Sequence, residues 1–193
     1  MKVLYALQGT GNGHVARARE LVPLISQTCE IDILVAGNQS QIDLGFPVRF
    51  KKFGLTMKYN TSGGVSYFKS FFGNRPLRFL KDVFSLPVKE YDLVVIDFEA
   101  IASYACLLCG VKSLQLSHQA AYWSKLTPRP EPHVWHWEFV LRHMSPSHYK
   151  IGFHFNAYDT FILPPIIRSE VRKLTPTHGA HYTVYLPAYN AAT

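Results

Sequence analysis

Short apolar runs alternate along the first 117 residues with stretches whose apolar positions recur every three or four residues. Lys2–Leu7, rich in Val, Leu and Tyr, reads as a buried strand. Gln8-Gly9-Thr10-Gly11-Asn12-Gly13-His14 follows as a glycine turn, and Val15–Gln27 places Val15, Ala18, Leu21, Val22 and Ile25 at helical spacing. Glu30–Ala36 is a second strand, closed by Gly37-Asn38. Leu44–Phe53 is a weaker third, and Pro47 within it argues for an edge position. Helical stretches are expected over Val65–Phe72 and Leu77–Phe84, separated by Gly73-Asn74-Arg75-Pro76. Leu93–Ile96 is the clearest buried strand; Glu99–Cys109 then reads as a helix stopped by Gly110, and Ser113–Leu116 as the next strand. Strand and helix in alternation predict an α/β fold: a Rossmann-like, doubly wound parallel sheet with helices on both faces.

After residue 121 the pattern loosens. Trp123, Trp135 and Trp137 cluster there, with a helix expected over Val134–His143. Lys150–Phe155 and Thr160–Leu163 read as late strands, the second ended by Pro164-Pro165, and Arg168–Leu174 as a short charged helix. We therefore expect one domain over 1–174 and a linker over 175–181. Tyr182–Leu186 has the residues of a further strand, so 182–193 is either the start of a second domain or a strand folded back on the first.

Composition changes this picture in two places. The net charge of +7 is not spread evenly: Arg49, Lys51, Lys52, Lys58, Lys69, Arg75, Arg78 and Lys81 fall in a stretch without a single acid, which suggests an anionic partner. Cys29, Cys106 and Cys109 are an odd set in a chain with no apolar run near the ~20 residues that cross a bilayer. Both observations fit a reduced, cytoplasmic protein, with a peripheral position on the inner face of a membrane open to it. Cys106 and Cys109 have redox-motif spacing but fall in the last turn of a helix, where no dipole stabilises a thiolate, so they read as core cysteines.

The glycine turn fails two common readings on named residues. A dinucleotide fingerprint needs a third glycine where His14 stands and an acid near the end of the second strand, which closes in Ala36-Gly37-Asn38. A phosphate-binding P-loop needs Lys after Gly13. Attention moves to His14 itself. In the first helical turn the dipole disfavours an imidazolium, which suits a general base; a histidine that merely packs or caps is the plainer alternative. Asp97 and Glu99 follow the best strand at its carboxyl end, where open α/β sheets hold ligands; Asp97 could equally cap a helix beginning at Phe98. His118 leaves another strand between Ser117 and Gln119, a polar exit suited to sugar hydroxyls or to an ordinary loop.

Gly-Thr-Gly-Asn-Gly-His-Val-Ala-Arg-Ala-Arg-Glu-Leu at 9–21 resembles the N-terminal loop of GT-B glycosyltransferases, in the branch of the lipid-linked N-acetylglucosaminyltransferase of peptidoglycan synthesis. The likeness continues at 91–99, at Ser117-His118-Gln119, at 162–168 and at Val184-Tyr185-Leu186-Pro187. It implies one half of a GT-B architecture: an acceptor-side domain that works with a C-terminal donor-binding domain or subunit. It implies sugar transfer from a nucleotide-sugar to a hydroxyl, with inversion. The acceptor would be a sugar or a lipid-linked molecule. His14 becomes the candidate base, with Gly9, Gly11, Asn12, Gly13, Asp97, Glu99, His118 and Gln119 as candidate acceptor-site residues. No metal and no cofactor is expected beyond the nucleotide-sugar co-substrate, and 1–193 alone is expected to be inactive. The competing reading is a stand-alone Rossmann-like domain that binds a phosphorylated ligand or partner chain without catalysis.

The basic stretch interleaves Lys69, Arg75, Arg78 and Lys81 with aromatic and aliphatic residues, a pattern suited to an anionic membrane surface, or to a solvated face over a buried one. Nucleic acid is disfavoured, because neither an RNP-like strand nor a helix-turn-helix pattern is present. His133 and His136 lie one helical turn apart, with Glu138 and His143 nearby, but not at a diagnostic zinc spacing.

Overall fold

The architecture follows from a first strand with no polar interruption. A computed structural model describes residues 1–37, 43–56, 73–131 and 135–182. In it β1 (Lys2–Gln8) buries Val3, Tyr5 and Leu7 on one face and Leu4 and Ala6 on the other. A strand buried on both faces must sit inside a sheet covered on both sides. It pairs in parallel with β2 (Glu30–Ala36) and β4 (Leu93–Asp97). Beyond these lie β3 (Phe50–Lys52), β5 (Ser113–Ser117), β6 (Tyr149–Phe153) and β7 (Ile162–Leu163). The sheet runs β3-β2-β1-β4-β5-β6-β7, and every pairing is parallel.

The helices supply the two covers. α1 (Asn12–Ile25) lays Val15, Ala18 and Val22 on the Val3–Tyr5–Leu7 face. α2 (Pro76–Ser85) and α3 (Ala100–Cys109) pack Val83, Ile101, Ala102, Ala105 and Cys106 on the opposite face, against Leu4, Ala6, Val94 and Ile96. Each buried Leu or Ile in these layers contributes about 1.5–3 kcal/mol. α4 (Trp135–His143) and the short α5 (Ser169–Arg172) complete the described α-helices, with 3-10 turns at Val88–Glu90 and Gln119–Trp123. α5 is tied back to α1 by the Ser169 hydroxyl, which donates to Glu20 at 2.7 Å.

After β1 the chain turns to one face of the sheet, and after β4 to the other. The carboxyl ends of these neighbouring strands therefore diverge and leave a crevice at the switch point. Leu7 lies opposite Asp97 in the register, so the glycine turn and the end of β4 open into the same crevice.

Several boundaries moved from those expected. α1 begins at Asn12, after an extended Gly11 (φ −155°), so that Asn12, Gly13 and His14 wind into the first helical turn. The helix runs through Pro23, which removes one backbone donor. The third strand shrinks to Phe50–Lys52 at the sheet edge, as Pro47 required, while Leu44 packs into the core over α1. Gly110 ends α3 in the left-handed conformation (φ +67°), its N–H bonded to Cys106 O. The helix expected over Val65–Phe72, Lys58 and Lys69, His133, and the last strand beyond Tyr182 lie outside the described residues.

Candidate active site

His14 occupies the first turn of α1, and Asp97 is the last residue of β4, fully buried. Their side chains meet: His14 Nδ1 lies 2.8 Å from Asp97 Oδ1. Arg17, one helical turn after His14, is 5% exposed and grips the same carboxylate with two bonds, Nε to Oδ2 at 2.9 Å and Nη2 to Oδ1 at 2.6 Å. Arg17 Nη2 is also 3.1 Å from His14 Nδ1. Nδ1 cannot serve both neighbours: an ionised carboxylate only accepts, so the shorter pairing with Asp97 places the imidazole proton on Nδ1, makes the Arg17 approach a close contact rather than a hydrogen bond, and leaves Nε2 as the basic nitrogen. Burial alone would raise the Asp97 pKa. The charges of His14 and Arg17, and their hydrogen bonds, outweigh it, and the carboxyl stays below its usual range. Tyr5 stands beneath this group; burial and the Asp97 charge push its phenol well above the usual value, and its hydroxyl has no hydrogen-bond partner among the described residues.

His118 leaves β5 and bonds through Nδ1 to the Phe153 carbonyl at 3.0 Å, which again leaves Nε2 free. Partial burial, then the charge of Arg17, hold its pKa below the ordinary histidine value. A cavity of about 550 Å³ separates Gly13, His14, Ala16, Arg17, His118 and Gln119 from a second wall of Phe155, Pro165, Ile166, Ile167, Arg168 and Val171. One wall offers two imidazoles and an amide; the other is mostly apolar. Such a cleft suits a ligand that carries hydroxyls on one side and a hydrocarbon or ring face on the other.

A family model described as Glycosyl transferase family 1 matches residues 1–193. The chain belongs to this family. No curated protein matches the sequence. The crystal structure of Acinetobacter baumannii MurG is similar at 18% identity and a TM-score of 0.41, over 62% of this chain and 35% of that one. The chain thus spans about a third of the length of that structure.

Within this family 1 chain the expected site residues separate into groups. Gly13, His14, His118 and Gln119 line the cleft. Asp97 is behind His14 and has no exposed surface. Gly9 is packed under the turn: its N–H bonds Ala36 O at 2.7 Å, and a Cβ there would lie 2.7 Å from Val35 Cγ1. Gly11 precedes α1 with open space around it, and Asn12 is the first helical residue.

Glu99 is not in the cleft. It is fully buried and caps α3, accepting from Ile101 N and Ala102 N at 2.7 Å each. The cap considered for Asp97 is therefore made by Glu99, two residues later. Phe98 takes a left-handed conformation (φ +54°) between them, which turns one carboxylate toward α1 and the other toward α3. Burial pushes the Glu99 carboxyl up to about 7, although the two backbone N–H groups pull it down. A pKa raised on folding means that the folded state holds the proton more tightly. The stabilisation is therefore complete below the ordinary value of 4.5 and is lost as pH rises through about 7. The stability advantage of wild type over Glu99→Gln should fall by about 3 kcal/mol across that window, read from urea unfolding at several pH values. A pH-independent difference would refute it.

Other candidates settle differently. Cys106 is buried, its thiol pushed up to about 12 by burial, whereas Cys109 is exposed at the helix end and is not a core residue. Glu138 is held by Arg129 and Arg142 at 3.3 and 2.5 Å. Among the described residues no group of three His, Cys, Asp or Glu is placed to hold a metal ion. No described helix is long and apolar enough to cross a membrane. Arg75 and Arg78 both lie over the Phe53 ring, at 5.2 and 5.4 Å, and Lys81 is exposed on α2.

Two parts of the site had no single-residue signal. Arg17 is indistinguishable in sequence from a solvated helix arginine, except that it follows His14 at i+3 on the face that also carries Ala18. Phe155 and Pro165–Arg168 close the cleft only because β6 and β7 return the chain to the carboxyl side of the sheet.

Proposed function

We propose that this chain is the acceptor-side half of a nucleotide-sugar-dependent glycosyltransferase, with His14 as the general base. The observation that carries the reading is the 2.8 Å pairing of His14 with buried Asp97 at the switch point of the sheet. An acceptor hydroxyl in the cleft gives its proton to His14 Nε2 while its oxygen attacks the anomeric carbon of the donor sugar. The bond from that carbon to the nucleoside diphosphate breaks on the opposite face, so a single displacement inverts the centre. The donor is bound mainly by a second domain or subunit, and no metal is required where basic groups and helix N-termini neutralise its phosphates. His118 and Gln119 hold acceptor hydroxyls. The test is release of nucleoside diphosphate from a panel of nucleotide-sugars by the enzyme together with its donor-binding domain. Release should depend on an added hydroxyl acceptor. Release indifferent to acceptor, or none with any donor, would overturn the reading.

We further propose that α2 brings the enzyme to an anionic membrane. Leu77, Leu80 and Phe84 project outward as an i, i+3, i+7 stripe, 82%, 49% and 74% exposed, with Arg75, Arg78 and Lys81 alongside. Lys69 belongs to the same basic stretch of sequence. Sedimentation with vesicles rich in anionic lipid should fall at least about tenfold in Leu77→Ser/Phe84→Ser, since burial of each such side chain is worth ~1.5–3 kcal/mol. The same loss is expected when Lys69, Arg75, Arg78 and Lys81 are all changed to Gln. Unchanged sedimentation of either variant would remove the membrane from the proposal.

A further inference from the structure

A second cavity lies on the other side of the α1 N-terminus and takes no part in the reaction just described. It measures about 540 Å³ and opens at the carboxyl ends of β1, β2 and β3, bordered by Gly9 and Gly37. One side is apolar, with Val15, Val35, Leu44 and Val48; the other carries Lys51, Lys52, Phe53 and Arg78. The backbone there is drawn tight: Gly37 N–H bonds Lys52 O at 2.9 Å, and Gly37 has φ +101°. This fixes the two lysines at the mouth of the sheet.

The charge of the cavity decides what it can hold. Asp82 pairs with Lys52 at 3.0 Å and reaches Arg78 only at 3.9 Å, and Asp43 is the one acid on the described wall. Lys51 has no acidic partner among the described residues. Arg75, beside the cavity, joins Arg78 over the ring of Phe53, their guanidinium carbons 5.2 and 5.4 Å from its centroid. Three cations on the wall, Lys51, Lys52 and Arg78, against one carboxylate, Asp43, leave an excess of about two positive charges, and Arg75 and Asp82 beside it offset one another; this excess matches a phosphate ester. The apolar wall beside them gives room for a hydrocarbon or ring attached to that ester. We infer that this cavity is a binding site for a phosphate mono- or diester, with Lys51 and Arg78 as its principal ligands and Val35, Leu44 and Val48 against the esterified group.

Phosphate-ester binding at this cavity is separate from glycosyl transfer and is read by binding rather than turnover, so the two stand or fall independently. Two soluble probes distinguish the source of the phosphate: glycerol 3-phosphate, and monomeric dihexanoyl phosphatidic acid, each titrated calorimetrically into the full chain. Both should bind saturably at millimolar concentration or below, and Lys51→Gln/Arg78→Gln should weaken both at least about tenfold, as loss of two charge-assisted contacts requires. Lys89→Gln/Lys125→Gln removes the same charge outside the cavity and should bind as wild type does. Tighter binding of the acylated probe assigns the site to a lipid headgroup, and equal binding to a soluble phosphate ester. Circular dichroism of each variant checks the fold. Absence of saturable binding to either probe, equal binding by Lys51→Gln/Arg78→Gln, or equal weakening by the control pair would overturn the inference.

Discussion

Replacing His14 with alanine should lower the turnover of the enzyme, assayed with its donor-binding domain, by about 10²–10⁴-fold, the usual worth of a general base. The fold should be little affected. His14 lies in the first turn of α1 and contributes nothing to the apolar layer beneath, which Val15, Ala18 and Val22 provide. The loss should appear in kcat, because proton transfer belongs to the transition state, while acceptor KM should change little if His118 and Gln119 still hold the substrate. His118→Ala should show the reverse division, raising KM with a smaller effect on kcat. Such a split separates a base from a binding residue, which a merely damaged cleft would not do. Equal losses in the two variants, or a His14→Ala enzyme with wild-type turnover, would remove His14 from the chemistry.

Asp97→Ala is expected to cost about 3–5 kcal/mol of folding stability, more than any other single change at the site, because it leaves the Arg17 guanidinium buried without its counter-ion. The charge cannot escape by deprotonation, because a guanidinium stays protonated at any working pH; in the wild-type fold Asp97 more than offsets the downward pull of burial and holds the Arg17 pKa above its ordinary value. Arg17→Met should be milder, since Asp97 keeps His14 and can take up a proton. The double variant Arg17→Met/Asp97→Leu should recover most of the loss, as hydrophobic replacement of a buried pair often does. Chemical denaturation of the four proteins measures the coupling directly. The pH dependence has a definite sign. Asp97 titrates below its ordinary range in the fold, so its contribution is present above the unfolded carboxylate value and is lost as pH falls through the folded one. Glu99 works in the opposite direction at higher pH. Additive single and double variants would mean that the contacts of Arg17 with Asp97 do not contribute to stability.

Much of this molecule is written in local patterns. Leu93–Ile96, the alternating faces of Lys2–Leu7 and the helix stop at Gly110 are all set by residues within a few positions of one another, and the parallel α/β sheet follows from their order. The sequence by itself also placed His14 in a helix's first turn, because three glycines ahead of an apolar 3.6-residue repeat leave few other conformations. Tertiary structure alone decided what surrounds it. Arg17 is a buried ligand rather than a solvated cation only because Asp97, 80 residues away, ends the neighbouring strand in register with Leu7. Asp97 and Glu99 are chemically alike and two residues apart. A left-handed Phe98 sends one to the histidine and the other under α3. Periodicity specifies which face a side chain takes; strand order and register specify which distant group it finds there, and at this site the second fixed the partners of every charge.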